Sequence, residues 1–149
     1  MYTDGAARGN PGPGGYGVVL MSGAHRKELS GGFACTTNNR MELLAVITGL
    51  GAIKAENCQV TIYSDSKYVV DAVEKGWLNG WVKKRFRDKK NADLWMRFLE
   101  VYKKHQVRFV WIRGHSAIPE NEHCDHLAVE ASMRPDLPKD EGYLASREL

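Results

Sequence analysis

Four acids stand where chemistry is plausible. Asp4 closes the short β-type stretch "YTD", and Asp65 closes the clearer "VTIYSD". Glu42 lies one turn into one apolar helical run, and Asp125 one turn into another. In a mixed α/β sheet, ligands collect at strand ends and helix starts. Two acids at adjacent strand ends and one from each flanking helix could therefore converge. Four carboxylates within a few ångströms repel unless a cation neutralises them. Hard divalent cations take oxygen ligands, and Mg²⁺ joins a few carboxylates to a substrate phosphate. Taken singly, each acid reads more simply as a helix cap or a surface charge, and spacing alone does not show convergence.

Other motifs carry less. "GPGGYG" (12–17) matches G-x-G-x-x-G, but only Met1 to Thr3 precede Asp4 and a strand, not a helix, follows. That context does not suit a dinucleotide loop. His115, His123, Cys124 and His126 match no zinc-site spacing and read as structural residues. Cys35, Cys58 and Cys124 form no CxxC pair and read as reduced, buried thiols.

Charge is unevenly placed. From Lys75 to Arg113 there are twelve Lys and Arg against three acids, a balance of +9; the remainder carries nine against fifteen, −6, for a net +3. The basic part, "WLNGWVKKRFRDKKNADLW", sets Trp77, Trp81, Phe86 and Trp95 among Lys83, Lys84, Arg85, Arg87, Lys89 and Lys90. Cations for phosphates beside flat rings for bases or sugars are a nucleic-acid-binding composition.

The pattern of elements predicts a hairpin of strands at 15–21 and 26–35, turning at Ser22-Gly23. A helix follows over 36–55, capped by Thr37 or Asn38, with Gly49 and Gly51 as points where another backbone packs close. A strand (59–65), a helix (66–76, ended by Gly76), a longer helix (91–106), a strand (107–114) and a helix (121–133) complete the order. The tail from Arg134 is polar. This is a mixed α/β fold in one domain, 1–149, with 134–149 as a C-terminal tail. Composition is ordinary for a globular chain, at 43% hydrophobic and 26% charged. The start lacks the pattern of a signal peptide. No apolar run approaches the roughly 18 residues of a membrane span. A cytoplasmic monomer is the expectation.

"YTDGAARGNPGPGGYG", "TTNNRMEL", "SDSKYV", "NADLW", "GHSAIPENEHCDHLA" and "DEGY", in this order and over nearly the whole chain, closely resemble type 1 ribonuclease H of the bacterial kind. The resemblance implies a ribonuclease H-like five-stranded mixed sheet, ordered 3-2-1-4-5 and flanked by helices. It implies an endoribonuclease that cuts the RNA strand of an RNA–DNA hybrid with two Mg²⁺ ions, Mn²⁺ being a possible substitute, leaving 5′-phosphate and 3′-hydroxyl ends. The metal ligands fall on Asp4, Glu42, Asp65 and Asp125, and a mobile catalytic histidine on His115. Asn10, Asn38 and Asn39 fall near the ribose hydroxyls of the hybrid, and Thr37 and Asn91 on a pocket for a DNA phosphate. Trp77, Trp81, Lys83 and Lys84 fall in a basic protrusion that holds the DNA strand.

The chain also departs from the family pattern. Three residues precede Asp4 where relatives have several more, which implies a nearly missing first strand ending at that acid. The protrusion is shorter than in the long bacterial form. "SAIP" follows His115 in place of a more glycine-rich loop, which implies a stiffer histidine. No accessory hybrid-binding domain is expected. A transposase-, integrase- or resolvase-like nuclease would share the acids without "TTNNRMEL" and "GHSAIPENEHCDHLA". A non-catalytic hybrid-binding module would lack one of the four acids.

Overall fold

The computed structural model describes residues 1–147. The chain runs β1 (Tyr2–Ala7), β2 (Gly12–Ser22), β3 (His25–Thr36), α1 (Asn38–Gly51), β4 (Gln59–Ser64), α2 (Lys67–Glu74), α3 (Trp77–Lys83), α4 (Ala92–Tyr102), β5 (Gln106–Trp111), α5 (Pro119–Ser132) and α6 (Glu141–Arg147). The strands form one sheet in the order β3-β2-β1-β4-β5. β1 is central, antiparallel to β2 and parallel to β4, and β5 lies parallel to β4. The order and the mixed pairing are those the family resemblance implied.

The first strand is not a stub. It runs past Asp4 to Ala7, pairing Asp4 with Gly17 and Ala7 with Gly14, and so reaches the average strand length of about six residues. The residues before Asp4 are few, but the ladder extends the other way, along the glycine-rich start of β2. Asp4 therefore sits inside β1 rather than at its end.

That glycine-rich stretch is a packing surface. A Cβ on Gly15 or Gly17 would overlap the α5 backbone at Ala128 and Cys124. A Cβ on Gly14 would run into Thr36 and Met41, on the α1 side. Neighbouring strand residues point to opposite faces, so the sheet is held between α1 and α5, with α5 drawn in to backbone contact. Gly49 on α1 leaves room for a side chain, the sulfur end of Met1 beside Val18, rather than for a backbone. Gly51 has only Val101 near it, at 3.9 Å, so the expected backbone approach is absent at both glycines.

α1 is buried over most of its circumference because the sheet covers one side and α4 another; Met41, Leu43, Val46 and Leu50 lie in the core. Trp95 and Phe98 of α4 are fully buried. Each such large side chain contributes about 1.5–3 kcal/mol. Tyr68 and Trp81 meet Trp95 edge-on, with centroids 5.7 and 5.5 Å away. Trp95 is thus core, not part of a nucleic-acid surface. Cys124 is buried and Cys35 and Cys58 are half-buried. Burial pushes the Cys124 thiol up to about 12, consistent with an inert role.

Two helices were not anticipated. α3 is short and rich in Trp, Asn and Gly, and it follows Gly76, whose positive φ turns the chain out of α2. α6 lies in the tail read as merely polar, and Asp140, just ahead of it, accepts from the Tyr143 N–H at 3.2 Å. Residues 148 and 149 of that tail lie outside the described residues. Among the described residues no helix is long and apolar enough to cross a membrane.

Candidate active site

The site begins at a bare crossing. α1 passes over β1 at Gly5, where any Cβ would overlap the backbone of Met41 and Glu42. This contact drops Glu42 beside Asp4. The Gly5 N–H donates to Glu42 Oε1 and, at 2.9 Å, to Asp4 Oδ1. Asp65 follows the last residue of β4, the neighbouring parallel strand. One carboxylate oxygen from each of Asp4, Glu42 and Asp65 lies within 4.8 Å of the others.

These acids open onto a cleft of about 520 Å³, lined also by Asn38, Asn39, Lys67, His115, Asn121 and Asp125. Asp125 stands in α5 as expected and reaches the cleft wall, but it is not part of the compact three-acid group. His115 faces the same cleft from the loop after β5, with its backbone at φ 57.

Among the described residues no Lys, Arg or His forms an ion pair with the trio. Burial pushes the Asp4 carboxyl up to about 7, with Asp65 and Asp125 adding repulsion. Glu42, deeper still, is pushed well above the usual carboxylate range by burial and then by Asp4. Asp65 is raised mainly by burial. Glu42 Oε2 is buried with no hydrogen-bond partner. Buried carboxylate oxygens seldom go unpaired. An all-oxygen donor set with one orphan atom and mutual repulsion fits a hard divalent cation.

The remaining candidate residues fall into two further groups. Asn10 and Asn38 bind the loop after β1 to the start of α1. The Asn38 N–H donates to Asn10 Oδ1 at 3.0 Å, and the Ala7 N–H donates to Asn38 Oδ1. Thr37 caps α1, its hydroxyl accepting from the Arg40 N–H at 3.3 Å. Asn91 caps α4 in a left-handed conformation, φ 62.

Trp77, Lys83 and Lys84 form an exposed face on and beyond α3. Lys75 lies 5.5 Å from the Trp77 ring. Trp81 is half-buried against Trp95, with Lys89 4.9 Å from its outer face.

No local sequence pattern marks Arg40 or its two partners. Arg40 is 2% exposed, yet all five of its N–H groups are used. Nε and Nη2 donate to Asp140 at 2.8 and 3.0 Å; Nη1 and Nη2 donate to Asp93 at 2.8 and 2.7 Å; Nη1 also donates to Asn91 Oδ1 at 3.3 Å. Burial alone would lower the Arg40 pKa, but the bonds to Asp93 and Asp140 outweigh it and raise it. The motifs "NADLW" and "DEGY" contain both acids, but no spacing rule links residues 93 and 140 to residue 40.

His123 and His126 point to separate partners, Glu28 at 2.6 Å and Glu130 at 3.5 Å. They build no centre with Cys124.

Acids gathered where the first helix crosses the central strand, in a sheet ordered 3-2-1-4-5, define a nuclease of the ribonuclease H-like class. The family model for RNase H matches residues 1–133. The ribonuclease H of Syntrophus aciditrophicus is 58% identical over 149 residues, covering 96% of this chain and 85% of its own. Among solved structures, LC9-RNase H1, a type 1 RNase H with the type 2 active-site motif, superposes with a TM-score of 0.77 at 32% identity, covering 88% of this chain and 70% of that one. LC11-RNase H1, solved in complex with an RNA/DNA hybrid, gives 0.66 at 28% identity, covering 87% and 93%. The chain belongs to the RNase H family, as a type 1 ribonuclease H of the bacterial kind.

Proposed function

We propose that this chain hydrolyses the RNA strand of RNA–DNA hybrids, with two divalent ions, Mg²⁺ or Mn²⁺, held by Asp4, Glu42, Asp65 and Asp125, and leaves 5′-phosphate and 3′-hydroxyl ends. The observation that carries this reading is the compact trio of acids at the head of the cleft, Asp4 and Glu42 buried and Asp65 half-buried, with no ion-pair partner among the described residues. The hybrid bound to LC11-RNase H1 supports the substrate. When bound, such ions lower the pKa of a water and offset charge at the scissile phosphate.

The chain's own residues do the rest. Asp4 and Glu42 would hold the cations as carboxylates, their protons released to solvent, and the Gly5 N–H keeps their oxygens aligned. Asp125, on the cleft wall, would be the fourth acid to hold the ions. His115, on the same cleft, takes or passes a proton at the leaving side. Asn38 and Asn39 line the cleft beside the acids, with Asn10 bonded to Asn38 from the neighbouring loop, and together they meet the ribose 2′-hydroxyl that distinguishes RNA from DNA. Thr37 and Asn91 hold a DNA phosphate, and the basic face from Trp77 to Lys90 follows the same strand. Phosphate contacts of this kind give affinity without reading base sequence.

The test is cleavage of an end-labelled hybrid, with duplex DNA and single-stranded RNA alongside, in Mg²⁺, Mn²⁺ or chelator. Cut RNA only in the hybrid and only with metal, with 5′-phosphate ends by mass, is the expected result. Cleavage of duplex DNA alone would overturn the assignment.

A further inference from the structure

We propose that Arg40, clamped by Asp93 and Asp140, is a positioning residue that sets the polarity of the phosphate pocket at Thr37 and Asn91, so that the C-terminal segment carrying Asp140 controls hybrid affinity. This rests on the pocket assignment above.

Arg40 cannot itself hold a phosphate, because none of its five N–H groups is left over. Its two carboxylate partners also exceed its charge by one, so the clasp does not attract anions electrostatically. What it fixes is direction. A guanidinium has donors only, so the amide of Asn91 must turn its carbonyl oxygen toward Arg40. The Asn91 nitrogen then faces the other way. It donates one hydrogen to the Tyr68 hydroxyl at 3.0 Å and keeps its second for a ligand. The Trp95 indole N–H also donates to that hydroxyl, at 2.9 Å, which holds Tyr68 in place.

Thr37 is set by the same residue through its backbone. Its hydroxyl oxygen accepts from the Arg40 N–H, leaving the hydroxyl hydrogen free to donate. Both pocket groups therefore present donors, as an anion requires. With either reversed, a lone pair would face the phosphate.

Asp140 holds the clasp from a distance of 100 residues in sequence. Its carboxylate accepts from Arg40, from the Thr36 hydroxyl at 2.7 Å and from the Tyr143 N–H. Freed from Asp140, the guanidinium can pivot on Asp93, and its bond to Asn91 is then no longer enforced.

Steady-state cleavage of a labelled hybrid across a salt series tests this in the full chain. Asp140→Asn should raise KM by about 3–10-fold, leave kcat within about two-fold, and flatten the log–log salt slope by about one phosphate contact, roughly 0.7–0.9. Asp93→Asn, at the more exposed side of the clasp, should show the same signature if Asp140→Asn folds poorly. Asn91→Ala should do likewise, and Asp140→Asn should add less than about two-fold on top of it. Val60→Ala, in the core away from the pocket, should lower the melting temperature and leave KM unchanged.

Two failures are distinguishable. If Asn91→Ala and Thr37→Val leave KM and the slope alone, the pocket reading falls and this inference with it. If they raise KM but neither clasp variant does, or if the clasp and Asn91 effects multiply in full, the pocket stands and Arg40 is only structural.

Discussion

Two acid-rich regions start from α1, two residues apart, and solve opposite problems. Around Arg40, two carboxylates meet one guanidinium and every donor is spent; Arg40 holds Asp93 below its usual carboxylate range. Around Glu42, three carboxylates form no ion pair among the described residues, and their pKa values rise instead. Taking a charge out of water is costly unless partners replace the water. The chain supplies those partners in the clasp and withholds them in the cleft. A buried acid is therefore not by itself the mark of a site. A shortage of donors around it is, because that shortage is what an incoming ligand relieves.

Breaking each region should give opposite phenotypes. The largest effect belongs to the cleft: Asp65→Asn should reduce metal-dependent hybrid cleavage more than about 100-fold while hybrid affinity stays within a few-fold, measured by gel shift in chelator. Retention of a tenth of the activity would remove Asp65 from the core of the site. Arg40→Met breaks the other region. It leaves the buried Asp140 without its cation, with only the Thr36 hydroxyl and the Tyr143 N–H still donating to it; breaking such a pair typically costs about 3–5 kcal/mol, and urea unfolding should show that loss as a lower midpoint. An unchanged midpoint would mean the clasp is not holding the fold together. The exposed α3 face stands apart from both. Lys83→Ala, Lys84→Ala and Arg85→Ala combined should flatten the salt slope of hybrid binding by about two or three contacts at roughly 0.7–0.9 each, with no change in the unfolding midpoint.

The cleft was far more legible in the sequence than the clasp. Asp4 and Asp65 each ended or interrupted a β-type stretch, and Glu42 and Asp125 each fell one turn into an apolar helix. Local pattern placed all four near strand ends and helix starts, although only the family resemblance made them converge. Arg40, Asp93 and Asp140 meet across 53 and 100 residues of chain. No periodicity encodes such a meeting. α6 escaped for a related reason: it buries no residue, so it leaves no apolar stripe to read. The few residues before Asp4 understate the length of β1. Its pairing with the glycines of β2 runs forwards. Trp95 and Trp77 look alike in the basic run, yet one is fully buried and the other half-exposed; spacing to Phe98 would have marked Trp95 as core.

A smaller effect sharpens the electrostatic half of the comparison. Unfolded, Asp4 holds its proton only below about 3.8; folded, it holds it up to about 7. Between those values the folded chain binds more protons, so raising pH across that window destabilises it. Asp4→Asn should flatten this dependence. In chelator at neutral pH it should also melt higher than the parent, about 1 kcal/mol or roughly 2–8 °C. Mg²⁺ should stabilise the parent by RT ln(1 + [L]/Kd) and the variant by less, so the two melting curves approach each other as Mg²⁺ rises. A variant that melts lower in chelator would show that the acids do not repel as a group.

The smallest effect concerns backbone strain beside the cleft. His115 and Ala117 both lie in the left-handed region, at φ 57 and 63. A residue with a Cβ pays about 1–2 kcal/mol there. Asn91, in the clasp region, has nearly the same φ of 62. Asn tolerates this conformation better than most residues, and its side chain is held by Arg40 and Tyr68. Glycine at each position should therefore act oppositely. Ala117→Gly removes the clash but adds freedom to the unfolded chain, a cost of about 0.4–1 kcal/mol. The net should be a gain of about 0.5–1 kcal/mol, with kcat moved by less than about three-fold as the His115 loop loosens. Asn91→Gly forfeits two side-chain bonds and should melt lower. Thermal melting of both variants in chelator checks the pair. If Ala117→Gly melts lower as well, the loop that carries His115 stores no strain, and the contrast between an open, strained cleft and a closed, relaxed clasp fails on its backbone side.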